Sequence, residues 1–377
     1  WWEKAAQLAR AQEIRRFGLI TTNGLRQTFN RRVLEAHLGA RENPLELAFA
    51  IPDPPWVDSP DGAAVRIAMT VASRQPGPGI LAVVVGEIVR VEGEVACEFA
   101  PARGSIHADL TIGANASLLS RLNANRNLAC PGVQLSGQGF IVAASEIERL
   151  CSITRSRIVK RYVTGRDLSQ AMRTQYVIDT FGLRELDLRQ EFPDAFQWLQ
   201  DKVRPEREHN PREKYRREWW LAAEPRRSFR RALDGLTRYI ATSRTSRHRT
   251  FQFCAADFLA ESKVLVVATD DAAVLSIVSS CIHVSFANSN GGWLGVGNDS
   301  TYNHSDCFEK FPFPILTDTQ TTTLRTLGEQ LDAHRKRQQA AHPALTLTGM
   351  YNVLEKLRIG DTLSDKERAI HEQGLVS

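Results

Sequence analysis

The run Phe17-Gly-Leu-Ile-Thr-Thr-Asn23 decides how the first hundred residues fold. Its apolar start reads as a short strand, and its last three positions turn polar. Before it, residues 3–12 carry helical spacing; after it, residues 28–37 place Phe29, Val33 and Ala36 on one helical face. Two more strands follow at 45–51 and 63–72, joined by a Pro/Asp/Gly-rich loop that holds Trp56. Strand, helix, strand and then a strand pair is the pattern of the closing edge of a mixed α/β sheet. Open α/β sheets take ligands at the C-terminal ends of their strands, where Thr21, Thr22 and Asn23 stand. The same three residues also suit a helix N-cap turn.

Working outward, residues 74–101 form a Pro/Gly-rich bend with two β-type runs, 80–85 and 87–91. A glycine-punctuated region continues to 141, with short strands, turns and one helix near 116–124. Strand pieces at 162–168, 176–181 and 264–268 and helices at 192–203, 213–220 and 229–233 make a second α/β unit with its own core. After Phe311-Pro-Phe-Pro314 the pattern becomes helical. Leu324, Leu327 and Leu331 fall on one stripe, and His334-Arg-Lys-Arg337 suits that helix's C-terminus. Residues 351–357 form another helix, and Ser364-x-x-Glu367 is a capping box opening a third.

A chain of 377 residues accommodates two domains, and 42% hydrophobic with 24% charged residues is ordinary for a folded protein. No apolar run reaches the length of a membrane span, and no secretory leader is visible. The start on Trp1-Trp2 reads as a cut through a longer protein. Six cysteines without C-x-x-C spacing argue against zinc and for buried small hydrophobes in a reducing cytoplasm. The net charge of +5 is unevenly spread: residues 202–249 hold 15 Lys/Arg against 6 Asp/Glu, a surplus of 9 that leaves −4 elsewhere. Such a block is the footprint of a polyanion partner. Its first half, with Glu206, Glu208, Glu213 and Glu218 interspersed, also suits a solvated helix face.

Self-sufficient catalytic motifs are missing. There is no phosphate loop ending in Lys-Ser/Thr, no H-E-x-x-H and no G-x-S-x-G. Gly291-Gly-Trp-Leu-Gly295-Val-Gly297 lacks the context of a dinucleotide fingerprint and reads as a flexible recognition loop.

Taken in order, several stretches resemble one family. Trp2-Glu-Lys-Ala and the 17–23 strand are similar to the part of an adenine-specific DNA methyltransferase that follows its Asn-Pro-Pro-aromatic motif. Leu47-Ala-Phe-Ala-Ile-Pro52, Trp56 and Ala64-Val-Arg-Ile-Ala-Met-Thr70 resemble the last hairpin of that catalytic sheet. Arg161-Tyr-Val-Thr-Gly-Arg-Asp-Leu168, then Tyr176-Val-Ile-Asp179 and Gly182, resemble the signature that opens the target-recognition half. Arg238-Tyr-Ile-Ala, Arg247-His248, Ser280-x-Ile-His283, Tyr302-Asn303, Cys307-Phe308 and Phe311-Pro-Phe-Pro314 continue and close it. The ordered set resembles the MmeI-like type II restriction–modification methyltransferases over nearly the whole chain.

The resemblance implies N6-methylation of adenine in double-stranded DNA with S-adenosylmethionine, on a base flipped out of the duplex. It implies the last strands of a Rossmann-like class I methyltransferase sheet at 1–103, an α/β target-recognition domain at 104–314 and a helical region at 315–377. Neither the donor-binding glycine motif nor the Asn-Pro-Pro-aromatic motif occurs in the sequence. Both are expected before Trp1, on the upstream part of the same polypeptide. The chain alone is therefore expected to be inactive, with no catalytic residue of its own, while the parent is a site-specific adenine methyltransferase. Thr21, Thr22, Asn23, Phe49, Pro52 and Trp56 would line the target-base pocket, Trp56 by stacking or only as a loop anchor. Arg166, Arg244, Arg247, His248 and Arg249 would hold phosphates, although Arg166 and Asp167 could instead pair internally. Asn298, Asp299, Tyr302, Asn303 and His304 would read base edges, although Gly-Asn-Asp is also ordinary turn chemistry. Two other readings stand beside this one: a stand-alone specificity module for a separate catalytic chain, and an inert remnant without DNA affinity.

Overall fold

Helix α1 (Trp2–Arg10) leads into strand β1 (Arg16–Thr22), whose alternating exposure matches an edge strand with one face on a core. Then come α2 (Arg31–Leu38), β2 (Glu46–Ile51), β3 (Ile67–Ser73), β4 (Gly79–Val89) and β5 (Val95–Gly104). The sheet order is β1-β3-β2-β4-β5. Strand β3 runs antiparallel to both β1 and β2, β2 and β4 are parallel, and β4 and β5 form an antiparallel hairpin. This is the mixed sheet edge that the sequence predicts. A computed structural model describes residues 1–27, 29–56, 65–89, 95–113, 119–170, 172–294 and 299–375. It divides into Trp1–Ser120 with Ser289–Asp299, and Arg121–Asn288 with Ser300–Ser377.

In the first unit, Leu47, Ala50, Ala68, Ala72 and Leu81 meet Trp2, Ala6 and Ala9 of α1 and Leu34 of α2. Burying each such leucine contributes about 1.5–3 kcal/mol. The Trp2 indole donates to Thr70 Oγ1 at 3.1 Å, so its one polar atom is satisfied. Of the expected apolar face of α2 only Val33 packs against the core. Phe29 is 79% exposed, and the inward residues are Arg31, Leu34 and His37. Polar contacts make this possible: Arg31 meets Glu35 at 3.2 Å in an ion pair, and the His37 ring lies 3.0 Å from Glu3. The two runs expected at 80–91 are one strand with a register shift between Val84 and Gly86, and β5 was not foreseen. Gly79 has a packing reason, because a Cβ there would lie 2.1 Å from the Leu47 carbonyl.

The second unit opens with β6 (Ala129–Pro131), β7 (Ile141–Ala143), α3 (Ser152–Arg157), β8 (Val159–Val163), α4 (Gly165–Ser169) and β9 (Gln175–Ile178). Helices α5 (Glu185–Glu191), α6 (Pro193–Lys202), α7 (Arg204–Glu208), α8 (Glu213–Arg217) and α9 (Arg227–Ala232) follow. Next are β10 (Arg238–Ser243), β11 (Thr245–Ser246), β12 (Gln252–Ala255), β13 (Leu259–Ala260), β14 (Val264–Val267), α10 (Ala272–Ser279) and α11 (Cys281–Asn290). Two four-stranded sheets result, β12-β10-β14-β6 and β13-β8-β9-β7. Strand β15 (Gly292–Leu294) belongs to the 289–299 segment, and β16 (Asp299–Thr301) pairs with β11 through Thr245↔Thr301 and Ser246↔Ser300. The helix expected near 116–124 is absent from 119–124, where only a 3-10 turn at Asn123–Asn125 forms; its start lies outside the described residues.

The C-terminal helices α12 (Asp318–Ala341), α13 (Leu347–Ile359) and α14 (Asp365–Gly374) fall within this second compact unit. Leu327 is 52% exposed, and α12 buries Gly328, Asp332 and Arg335 instead of the leucine stripe. A Cβ at Gly328 would lie 2.2 Å from the Ala272 carbonyl of α10. The rest is hydrogen bonding to edge strand β12 and its approach. Asp332 accepts from the Phe253 N–H at 3.0 Å, Arg335 donates to the Phe251 carbonyl at 2.8 Å, and Lys336 donates to the Phe253 carbonyl at 2.8 Å. Side chains thus satisfy the backbone groups an edge strand leaves open. The capping box at Ser364 and Glu367 is formed.

Among the described residues no single helix is long and apolar enough to cross a membrane. The bent pair α10 and α11 meets that test by length and composition, and α10 buries Ala272, Ala273, Leu275 and Val278 in the core. All six cysteines are unpaired; only Cys254 and Cys307 are buried, while Cys151 and Cys281 are exposed.

Candidate nucleic-acid interface

The Thr164-Gly-Arg-Asp-Leu168 run turns β8 into α4. Thr164 and Asp167 form a reciprocal capping box, with the Thr164 N–H donating to Asp167 Oδ2 at 2.9 Å. The buried Asp167 carboxylate also receives Arg173 Nε at 2.9 Å. Desolvation would raise its pKa, but the hydrogen bonds from Arg173 and Thr164 outweigh that and hold it below the usual carboxylate range. Asp167 therefore pairs with Arg173 and not with Arg166. Gly165 lets α4 approach β10, since a Cβ there would lie 2.8 Å from Ser243 Oγ.

Arg166 is left outside. It is exposed, and Nε donates to Gln170 Oε1 at 2.9 Å. It lines a cleft of about 340 Å³ with Thr164, Ser169, Ser243, Thr245 and Lys263. Neither Arg166 nor Lys263 has a carboxylate at ion-pair distance among the described residues. The half-buried Glu261 also borders the cleft, and its pKa is raised, chiefly by burial. The two cations offer charge and N–H donors that a phosphate's oxygens can accept from, while the hydroxyls of Thr164, Ser169 and Ser243 already donate to Asp167 and to the Gly165 and Thr245 carbonyls. Lys263 escapes the sequence reading because it lies outside the basic block.

The other expected phosphate contacts separate. Arg244 is half-buried, with one nitrogen on the Ser262 carbonyl at 3.2 Å. Arg247 is exposed and 3.4 Å from Glu355 of α13. The His248 ring lies 2.7 Å from Asn352 Oδ1 and packs on Tyr351. Arg249 does not face solvent: at 7% exposure it donates to Thr242 Oγ1 at 3.2 Å, to the Ser300 carbonyl at 2.8 Å and to the Ser243 carbonyl. Its ring contact is Tyr302, and burial lowers its pKa to about 10. Much of the 202–249 block is used the same way. Arg207 donates to the Leu135 and Leu221 carbonyls, Arg230 grips Asp179 at 2.5 and 2.9 Å, and Arg238 pairs with Glu329.

Of the expected base readers, Asn298 lies outside the described residues and Asp299 is half-buried. Tyr302 is interior, its hydroxyl 2.8 Å from His283 Nε2. Asn303 follows the turn reading, because its Oδ1 accepts from the Asp306 N–H at 2.7 Å. His304 is half-buried with a pKa lowered mainly by desolvation.

In the first unit a second cleft, about 430 Å³, opens at the ends of β1 and β2, lined by Pro52 and Asp53 together with Arg26, Arg66 and Glu87. Asn23 reaches it indirectly, through Nδ2 to Asp53 Oδ1 at 2.6 Å. Thr22 is exposed and leads into the 3-10 turn Asn23–Arg26 without a side-chain cap, and Thr21 Oγ1 donates to the Ala68 carbonyl at 3.4 Å. Trp56 is 46% exposed on a loop pinned by its N–H to the Val65 carbonyl at 2.8 Å. Phe49 sits within β2 opposite Val71 and Ile80, away from the cleft lining. The expected pocket residues are thus brought together only in part, and the two arginines at its centre were not foreseen. No group of residues that could hold a metal ion occurs among the described residues.

Against solved structures, the chain aligns with the type IIL restriction-modification enzyme MmeI, solved in complex with DNA. The alignment covers 99% of this chain with a TM-score of 0.72 at 14% sequence identity. The fold is MmeI-like. This chain spans 47% of the MmeI chain, and the helices α12–α14 fall within the MmeI-like fold. The type IIG restriction endonuclease BpuSI aligns over 96% of this chain and 46% of its own at 9% identity, with a TM-score of 0.33 that supports no further comparison. No family model and no curated protein sequence matches.

Proposed function

We propose that this chain is the DNA-reading part of a restriction–modification methyltransferase acting on adenine N6 in double-stranded DNA. The observation that carries the reading is the α4 cleft, where Arg166 and Lys263 stand beside Thr164, Ser169 and Thr245 with no ion pair among the described residues; Glu261 borders the same cleft and acts on Lys263 only through space. The MmeI-like fold supports it, because that neighbour was solved on DNA. In this reading Arg166 and Lys263 hold backbone phosphates, the exposed Arg247 adds a further phosphate contact, and Asp299 reads a base edge. The strand ends of the first unit, with Asn23, Pro52 and Trp56, receive the extruded adenine.

S-adenosylmethionine would supply the methyl group. Neither a glycine-rich donor motif nor an Asn-Pro-Pro-aromatic motif is present in this sequence. The chain's own task is to bind the duplex and orient the base. Fluorescence anisotropy with a labelled duplex tests this across a salt series. Binding is expected to weaken with salt, and R166Q/K263Q should lower the slope by about 2, one per lost phosphate contact. Absence of any binding at low salt would reject the reading.

A further inference from the structure

Arg66 and Arg26 share the first unit's cleft and differ in their partners. Arg66 contacts Asp53 at 3.0 Å and Glu87 at 2.6 Å, so its charge is answered within the fold. Arg26, in the turn after β1, donates Nε to the Asp109 carbonyl at 3.1 Å. Its two terminal nitrogens have no hydrogen-bond partner among the described residues, and no carboxylate lies at ion-pair distance. Burial pulls its pKa below the usual guanidinium range, while Asp53 and Asp109 oppose this through space. A half-buried cation without an ion pair, answered only through space, is costly to the folded state unless an anion completes it.

The cleft itself suggests the anion. Its walls include Leu81, Val84, Leu110 and Ile112, apolar surface next to the open guanidinium. A volume of about 430 Å³ is the size of a small-ligand site, and it opens at strand ends, where α/β sheets take ligands. A fork of two N–H donors fits two oxygens of one phosphate, and apolar walls fit a sugar and base. We infer that Arg26 binds a phosphodiester phosphate of DNA, seating one nucleotide of the extruded stretch against Leu81, Val84 and Ile112. This rests on the DNA reading above and adds to it a contact in the first unit.

The test uses the whole chain, with R26Q and R26K variants, on a labelled duplex carrying one mispaired adenine and on its fully paired counterpart. R26Q should bind the mispaired duplex about tenfold more weakly, the loss of a charge-assisted hydrogen-bond pair, with a salt slope lower by about 1. R26K should keep the slope and recover part of the affinity. The thermal midpoint of R26Q should equal or exceed that of the parent, because an unpaired cation has been removed from a half-buried site. Unchanged affinity and slope in R26Q would overturn the inference. So would a sharp drop in thermal midpoint in both variants, which would make Arg26 a structural residue. AMP protecting the cleft while R26Q leaves duplex binding unaltered would overturn it in favour of a free nucleotide. If the parent chain binds neither duplex, the DNA reading itself fails; binding with R26Q unaffected removes Arg26 alone.

Discussion

In the 202–249 block, Arg207, Arg230, Arg238 and Arg249 end on carbonyls or carboxylates of their own unit. At the α4 cleft, Arg166 and Lys263 are exposed and form no ion pair among the described residues, although Glu261 lies in the same cleft. The block is dense in cations but uses these four arginines within the fold, whereas Arg166, Lys263 and the block's exposed Arg247 can meet a partner. The difference comes from what surrounds each cation. The capping box on Asp167 and the Arg173 contact consume the nearest acid, which leaves Arg166 open. In the block, bends and edge carbonyls recruit arginines as internal donors. Local charge density therefore measures how many cations a segment has, not how many can be given away.

The contrast is sharpest between Arg249 and Arg166. R249M removes a buried guanidinium that serves the Thr242, Ser243 and Ser300 oxygens and should cost about 3 kcal/mol of stability. R166M should stay within about 0.5 kcal/mol. Urea denaturation of both variants checks this, and equal losses would break the distinction. D167N should cost about 2 kcal/mol at neutral pH, discounted because Arg173 is 41% exposed. Because the folded-state pKa of Asp167 is depressed, its contribution is present above the unfolded carboxylate value near 4 and fades as pH falls through the folded value. The gap between parent and D167N should therefore close in acid, and a gap that widens below pH ~4 would contradict the assignment.

D332A tests another internal use of polar side chains. It leaves the Phe253 N–H of edge strand β12 without its acceptor and should cost about 1–2 kcal/mol, with faster amide exchange at Phe253. Protection unchanged at that amide would mean another group has replaced Asp332. The smallest effect on stability belongs to R247A, because its 3.4 Å contact with Glu355 joins two well-exposed side chains and contributes under about 1 kcal/mol. On DNA, R247A should lower the salt slope by about 1 and weaken binding on all sequences alike; an unchanged slope would remove Arg247 from the interface.

Apolar patterning made the sheet edge legible. The 17–23 strand, the 45–51 and 63–72 strands and the 192–203 helix all stand close to where their spacing places them. Faces were less legible wherever polar side chains are buried in pairs. Helix α2 turns Arg31 and His37 inward because Glu35 and Glu3 receive them, and α12 docks through Asp332 and Arg335 rather than its leucines. No hydrophobic period encodes such contacts, since both partners must be known at once. The same reason hid the site. Arg166 was visible from its motif, but Lys263 and Arg26 lie in no basic run, and what marks them is that neither forms an ion pair with the acids near it. Arg249 looked like a phosphate ligand by composition, yet its acceptors are supplied by residues up to 51 positions away.

Hydrogen–deuterium exchange of the chain with and without duplex DNA tests the central claim most directly. The account predicts slowed exchange at 164–170 and 243–247, around the Arg166–Lys263 cleft, and little change across 204–217. Protection confined to the 204–217 helices, with the cleft unaffected, would contradict it.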